Sequence, residues 1–315
     1  MPQQDVREVE HEITVQAPAD QIYRYLAEVE NWPRLFPPTI FVDHVERSAD
    51  QERIRIWATA NGEAKNWTSR RWLKPRDRRI DFRQEVSPPP VASMGGAWVI
   101  EPLSDKESRV RLLHDYRAID DDPASLAWID KAVDTNSRKE LGALKENIER
   151  AATTPQDLLM SFTDSVEVAG SAKDVYQFIY EADQWTERLP HVARVDMRED
   201  TPGLQILEMD TRTKDGSTHT TKSVRVCFPH QRIVYKQTTL PALMALHTGY
   251  WELREHENGV TAIAEHTVVI NTDNITKVLG PDADVAQAKE FVRNALGGNS
   301  RATLNHAKDY AEQRS

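Results

Sequence analysis

The chain has 315 residues and a formal net charge of −10, with 39% hydrophobic and 29% charged residues. That acidic balance argues against a nucleic-acid partner, because neutralising phosphates needs an excess of Lys and Arg. The single Cys, Cys227, excludes an intramolecular disulfide and a Cys-built metal site, which fits a reducing compartment. The opening residues MPQQDVREVEHEITV are acidic and hold no apolar stretch, so no signal peptide is expected. No apolar run approaches the roughly 18 residues of a membrane span. The expectation is a soluble, cytoplasmic protein with no membrane partner.

In chain order, a short strand over 11–16 leads into an amphipathic helix over 18–29. Pro18 marks its start, and Ile22, Leu26 and Val29 fall at helical spacing. Alternating runs follow at 53–59, 64–73, 79–86, 96–102 and 109–117, separated by turns and Pro clusters, as in an antiparallel sheet. A closing helix carries the apolar stripe Leu141, Leu144 and Ile148.

The same order then recurs. The segment from Ala17 to Tyr23 matches that from Gly170 to Tyr176, Trp32 matches Trp185, Pro37 matches Pro190, Trp98 matches Trp251, and His114 matches His266. Asn136-Ser137-Arg138 matches Asn299-Ser300-Arg301 after a longer insert in the second copy. A period this long, present twice, means two complete domains rather than a solenoid. The break falls at Ala151-Ala152-Thr153-Thr154-Pro155, giving domains over 1–152 and 153–315. In the second copy Ser171 caps a helix bearing Val175, Phe178 and Ile179, and the strands run through 260–270. Its closing helix carries Leu304, Ala307 and Tyr310, and Gly297-Gly298 is expected to break it early.

The most informative stretch is Asn66-Trp67-Thr68-Ser69-Arg70-Arg71-Trp72-Leu73, echoed by Thr221-Lys222-Ser223-Val224-Arg225-Val226. As strands these place Trp67, Ser69 and Arg71 on one face, and Thr221, Ser223 and Arg225 on one face. Each follows a hairpin signal, Asn61-Gly62 or Asp215-Gly216, and each precedes a Pro, Pro75 or Pro229. The expected class is α+β: tandem domains, each a curved antiparallel sheet wrapped round a long C-terminal helix and enclosing a pocket. Such pockets are mostly apolar with a few placed polar groups. Trp32, Phe36, Trp67, Met94 and Trp98, with Ser69 and Arg71, suit that description.

The order of elements resembles the helix-grip fold of the START/Bet v 1 superfamily. Within it, Asn31-Trp32-Pro33-x-Leu35-Phe36-Pro37, Trp67-x-Ser69-x-Arg71, Met94-x-x-x-Trp98 and the Asn136-Ser137-Arg138 helix resemble the polyketide aromatase/cyclases of bacterial type II synthases. The tandem arrangement is similar to their di-domain members. The resemblance implies a poly-β-ketone substrate tethered to an acyl carrier protein by a phosphopantetheine thioester, with one ketone already reduced. It implies aldol closure of the first ring, or its dehydration to an aromatic ring, or both, within a synthase and with no metal or redox cofactor.

That chemistry needs a chain held in one fold, a donor for an enolate oxygen, and a group that moves protons. Arg71 is the expected anchor and enolate stabiliser, at the position where the resemblance puts the family's functional Arg. Ser69 would hold a carbonyl or a water, or would simply relieve packing. Trp32, Phe36, Trp67, Met94 and Trp98 would form the substrate-binding wall. His114 shares a face with Val110, Leu112 and Tyr116, so it points inward as an acid/base group or as a satisfied core histidine. Asp134 lies seven residues before Leu141, on the inner stripe of the helix, or pairs with Arg138 at the surface. Thr39 stands where some relatives place a pocket Tyr.

The second half retains Ser223, Arg225, His266, Trp185 and Trp251 as its pocket. Thr221 replaces Trp67, Leu189 replaces Phe36 and Gly297 replaces Asp134. The first half is therefore expected to carry most of the chemistry, the second being a more degenerate pocket, a scaffold or a second-step site. Arg70, Lys74, Arg76, Arg78, Arg79 and Arg83 form a basic run, either a dock for the acidic carrier protein or a solvated turn with Asp77 and Asp81. The chain is expected to be a monomer whose halves act as a pseudo-dimer. Two readings compete with the enzyme: a non-catalytic carrier of a lipid or quinone, and a scaffold subunit of a synthase complex.

Overall fold

The computed structural model describes residues 6–60, 63–153, 158–212, 216 and 218–314. The chain divides into two compact units, Met1–Pro155 and Gln156–Ser315.

The first domain is a seven-stranded antiparallel sheet of order β1-β7-β6-β5-β4-β3-β2. Its strands are β1 (Arg7–Val15), β2 (Thr39–Arg47), β3 (Gln51–Ala60), β4 (Glu63–Lys74), β5 (Arg79–Gln84), β6 (Val91–Ser104) and β7 (Glu107–Ala118). Between β1 and β2 lie α1 (Ala19–Ala27), a 3-10 turn (Val29–Asn31) and the single turn α2 (Trp32–Leu35). The domain ends in α3 (Pro123–Thr153). Its core is the seam where α1 and α3 meet the sheet: Ile22, Leu26, Leu112, Leu144 and Ile148 are all shut from solvent. The alternation of β3 shows why the sheet forms. Ile54, Ile56 and Ala58 face inward, and the one inward residue of that series that is not apolar is Glu52.

The second domain repeats this with order β8-β14-β13-β12-β11-β10-β9. Its elements are β8 (Leu159–Val168), α4 (Ala172–Tyr180), α5 (Trp185–Arg188), β9 (Val192–Thr201), β10 (Leu204–Arg212), β11 (Thr218–Phe228), β12 (Arg232–Thr239), β13 (Met244–His256) and β14 (Gly259–Ile270). The insert forms the short α6 (Ile275–Leu279) before the closing α7 (Val285–Glu312). Ser171 caps α4 as expected, accepting from the Asp174 amide at 3.1 Å. No helix among the described residues is long and apolar enough to cross a membrane.

Three expectations are corrected. β2 was not anticipated as a strand. The first helix stops at Ala27 rather than at 29, and buried Val29 belongs to the 3-10 turn that follows. Gly297-Gly298 does not break the closing helix, since α7 runs unbroken through both. Gly297 is there for space: a Cβ would lie 2.9 Å from Asp164 Oδ2 and against the Arg293 guanidinium that pairs with it. The Asn61-Gly62 turn, Asp215, and the Thr154-Pro155 end of the predicted linker lie outside the described residues.

The two glycines make opposite predictions. A solvent-side helical Gly replaced by Ala stabilises by up to ~1 kcal/mol, and a Cβ on Gly298 meets nothing within 4 Å. Gly298→Ala is expected to raise the melting temperature. Gly297→Ala should lower it by displacing Arg293 from Asp164. Equal stabilisation by both in a thermal melt would refute this role for Gly297.

Candidate active site

Arg71 is 1% exposed. Its Nη1 donates to Glu52 Oε1 at 2.7 Å and to the Ala27 carbonyl at 3.4 Å, and its Nη2 donates to the Leu26 carbonyl at 2.6 Å. Glu52 stands directly opposite Arg71 on β3, and the indole of Trp32 lies under the guanidinium, 5.0 Å away. Burial pulls Arg71 down to about 10, so it remains a cation at neutral pH. The expected anchor is thus fastened to the C-terminal carbonyls of α1 and neutralised by a buried carboxylate.

Arg225 makes the same helix contact, with Nη2 donating to the Ile179 carbonyl at 2.6 Å over the Trp185 ring. Its charge is not neutralised in the same way. The residue opposite is Gln205, whose amide donates to Glu199 Oε2 at 2.7 Å. Arg225 Nη1 is buried with no hydrogen-bond partner among the described residues. Trp185, Ser223, Arg225, Trp251 and His266, the five residues expected in the second pocket, all line one cavity of about 130 Å³.

That cavity has a polar wall. His266 of β14 places Nε2 2.6 Å from Ser300 Oγ on α7, and its Nδ1 lies 3.0 Å from Tyr235 Oη and 2.9 Å from His247 Nε2. Tyr235, Gly249 and His266 form one row across β12, β13 and β14. The missing side chain of Gly249 lets the Tyr235 ring lie over β13, since a Cβ there would sit 2.5 Å from Tyr235 Oη. Burial holds His266 down at about 4, keeps His247 well below an ordinary histidine and pushes the Tyr235 phenol up. All three are uncharged at pH 7. They form a chain of neutral donors and acceptors, suited to passing a proton without creating a buried ion. His247 Nδ1 has no hydrogen-bond partner among the described residues.

In the first domain the corresponding row is Phe82, Gly96 and His114. His114 packs edge-on against Phe82 at 5.6 Å, its Nδ1 lies 3.5 Å from Ser137 Oγ, and burial brings it down to about 4. The inward orientation expected of both histidines is what the structure has. Ser69 is buried and donates to the Arg83 carbonyl at 3.2 Å. Phe36 packs between Trp32 and Trp98, with ring centroids 5.6 and 6.3 Å away. Trp67 packs beside Trp32 on the Val29, Ile54 and Ile56 cluster. Met94 lies apart, against Val91, Tyr116 and Ile129.

Asp134 is off the inner stripe, which consists of Val133, Ser137, Leu141, Leu144 and Ile148. Its side chain is 50% exposed and bonds Arg138 and His11, both at 2.9 Å, which hold its carboxyl below the usual range. The second domain moves this carboxylate to the strand: Asp164 takes the place of His11 and pairs with Arg293 and Arg301 of α7. A carboxylate that changes elements while keeping its helix–strand ion pair serves the packing. In the basic run, Arg70, Lys74, Arg78, Arg79 and Arg83 pair with Glu85, Asp81, Asp20, Asp81 and Asp115 respectively.

Sequence reasoning missed Glu52, Tyr235 and His247. The signals were present. Glu52 shares strand parity with Ile54 and Ile56, while Tyr235 and His247 stand at the repeat positions of Phe82 and Met94. Counting only the aromatics lost from the second half hid the polar groups it gains.

Removing one partner of a buried ion pair leaves an uncompensated charge and costs about 3–5 kcal/mol. Arg71→Ala is expected to lose stability on that scale in urea unfolding, and Arg71→Met with Glu52→Leu to regain most of it. Arg225→Ala, which strands no facing carboxylate, should cost less. An Arg71→Ala protein as stable as wild type would remove the structural role argued for this pair.

The family model described as polyketide cyclase / dehydrase and lipid transport matches the chain twice, over residues 6–149 and 160–312. The chain is 53% identical over 299 residues to the granaticin polyketide synthase bifunctional cyclase/dehydratase of Streptomyces virginiae, covering 94% of this chain and 97% of that one. It is 44% identical to the actinorhodin polyketide synthase bifunctional cyclase/dehydratase of Streptomyces coelicolor, covering 95% of each. Among solved structures, the di-domain ARO/CYC BexL of the BE-7585A biosynthetic pathway superposes with a TM-score of 0.90 at 66% identity, covering 97% of this chain and 99% of that one. StfQ of the steffimycin biosynthetic pathway, also a di-domain ARO/CYC, superposes with a TM-score of 0.86 at 34% identity, with the same coverage. The chain belongs to the polyketide cyclase/dehydrase family and, by the match of both its domains, to the di-domain aromatase/cyclases.

Proposed function

We propose that this aromatase/cyclase acts on a ketoreduced poly-β-ketone carried as a phosphopantetheine thioester on an acyl carrier protein, and that the second domain's cavity makes the proton transfers which close and dehydrate its first ring. The observation that carries this reading is the neutral chain Ser300–His266–Tyr235/His247 in one cavity with Arg225, whose Nη1 has no partner among the described residues.

The chemistry follows from those groups. A neutral imidazole accepts the acidic proton between two ketones, and Tyr235 or Ser300 supplies a proton to the oxygen that leaves. The enolate formed on the way is anionic, and an unsaturated buried guanidinium is the donor that favours it. The cavity, at about 130 Å³, is near the ~150 Å³ that accommodates one benzene ring, so it suits a single six-membered ring rather than an extended chain. The near full-length relatives named cyclase/dehydratase support an enzyme over a carrier or scaffold. The paired basic run leaves a carrier-protein dock there as a matter of surface rearrangement, and other synthase subunits are the expected partners.

The test is a reconstituted type II synthase with its ketoreductase, read as product profile. His266→Asn and Tyr235→Phe are each expected to lower the aromatised product ~10²-fold or more. The working form of His266 is the neutral ring, held to about 4, so turnover should persist as pH falls through 6.5 and fail on the acid side only near 4. Wild-type product from both variants, or an acid limb at 6.5, would reject the second cavity as the site.

A further inference from the structure

Each sheet carries a glutamine two residues after the aromatic of its three-strand row, Gln84 after Phe82 and Gln237 after Tyr235. Each stands opposite the Ser of its Ser-x-Arg strand, Gln84 opposite Ser69 and Gln237 opposite Ser223. The two glutamines are therefore one position of the fold, present twice. Strand parity puts Gln237 on the same face as Tyr235, and it lines the second cavity together with Ser223, Tyr235 and His247.

The two amides have different surroundings. In the first domain the Ser87 hydroxyl donates to Gln84 Oε1 at 2.9 Å, and Gln84 Nε2 donates to Met94 Sδ at 3.7 Å. That carbonyl is satisfied from within the domain. In the second domain Leu240 stands where Ser87 does, three residues after the glutamine and just before a Pro. Leu240 offers no side-chain donor and packs against the apolar cluster of Leu243, Met244 and Ile275. Gln237 Oε1 is left buried with no hydrogen-bond partner among the described residues. A buried carbonyl without a donor destabilises a fold, and the first domain shows that a single serine removes the defect. Arg225 lines the same cavity, and its Nη1, also without a partner among the described residues, can only donate. A ring bound there meets an acceptor at Gln237 and a donor at Arg225. A hydroxyketone matches that pattern, whereas the two oxygens of a diketone only accept.

We propose that Gln237 is the specificity determinant of the second cavity, its carbonyl accepting a hydrogen bond from the hydroxyl on the reduced carbon of the ring held there. A ketone at that carbon would set two acceptors face to face and leave Gln237 unpaired. A site built to hydrogen-bond a hydroxyl rejects the analogue lacking it far better than a site that matches shape alone. Gln237 touches the substrate and moves no proton. The assignment rests on the second cavity being the site of ring chemistry, and it requires a carbonyl reduction to come before this protein acts.

The experiment adds the full chain to a reconstituted type II synthase, with and without its ketoreductase, and compares aromatised first ring from reduced and unreduced chains as a ratio. Wild type is expected to favour the reduced chain. Gln237→Met should lower the ratio ~10-fold or more, through the reduced chain alone. Leu240→Ser, which returns the donor of the first copy without changing a residue that lines the cavity, should lower it in the same direction. In thermal melts Gln237→Met is expected to stabilise, because an unpaired buried amide is replaced by an apolar chain. Gln84→Met, which strands the Ser87 hydroxyl, should destabilise. A ratio unchanged in Gln237→Met, equal loss from both chains, or a wild type without preference would overturn the proposal. His266→Asn separates this from the reading beneath it. That variant is expected to lower product from both chains alike, and if it lowers neither, the second cavity is not the site and the role of Gln237 falls with it.

Discussion

The contact on which the rest of each domain depends is a guanidinium held against the end of a helix. An α-helix leaves its last carbonyls without partners and its C-terminus partly negative. In both domains a buried Arg reaches from the middle of the sheet to those carbonyls, Arg71 to Leu26 and Arg225 to Ile179, each at 2.6 Å. A Trp completes the fastening: Trp32 Nε1 donates to the Leu26 carbonyl, Trp185 Nε1 donates to the Phe178 carbonyl, and each ring lies under its Arg. The repeated Trp and Ser-x-Arg signatures, far apart in sequence, are one joint made twice. It fixes where the first helix sits over the sheet, and so the width of the interior that α3 or α7 closes.

Around that shared joint the two domains distribute charge differently. The first neutralises its Arg with Glu52 and lines its row of three strands with Phe82 and His114. The second replaces Glu52 with Gln205, sends the nearest carboxylate, Glu199, to Tyr180 and Gln205, and lines the same row with Tyr235 and His266. The substitutions are coordinated. Losing Glu52 leaves a buried cation beside which a second cation would be costly, and burial keeps His247 and His266 neutral. The apolar-to-polar changes Phe82 to Tyr235 and Met94 to His247 supply the hydrogen bonds that a buried imidazole needs.

Much of this was legible from the residues. The repeat, the order of elements, the stripe Leu141–Leu144–Ile148 and the inward parity of His114 and His266 all rest on periodicity that packing then respects. β2 was not legible because Ile40, Phe41 and Val42 form a short continuous apolar run after Pro37-Pro38, without alternation. Gly297 misled because helix propensity is local, whereas the reason for that glycine is a side chain arriving from β8. Arg71 misled in a similar way. Its face was read correctly, but a strand face does not say whether a guanidinium meets a cavity, a carboxylate or a helix end. That depended on Glu52, a charged residue hidden in the alternation of β3, and on a carbonyl more than forty positions away.

The difference between Arg71 and Arg225 bears on where an enolate is stable. An ion pair sealed in the interior presents a dipole, whose field dies quickly, and Glu52 would repel an approaching anion nearly as strongly as Arg71 attracts it. Arg225 faces an amide, and with Glu199 bonded to Tyr180 and Gln205 instead, its charge is less fully cancelled than that of Arg71. At an effective dielectric of about 20, a unit charge 4 Å away is worth ~4 kcal/mol, roughly three powers of ten in the population of an anionic intermediate. Burial, with the Arg293 cation nearby, opposes protonation of His266. It therefore favours the neutral imidazole that can accept a proton. The first domain, with its Arg cancelled by Glu52, lacks that anion-stabilising field. One difference opposite the shared Arg, Glu52 in one copy and Gln205 in the other, thus sets which of the two interiors is suited to making an enolate.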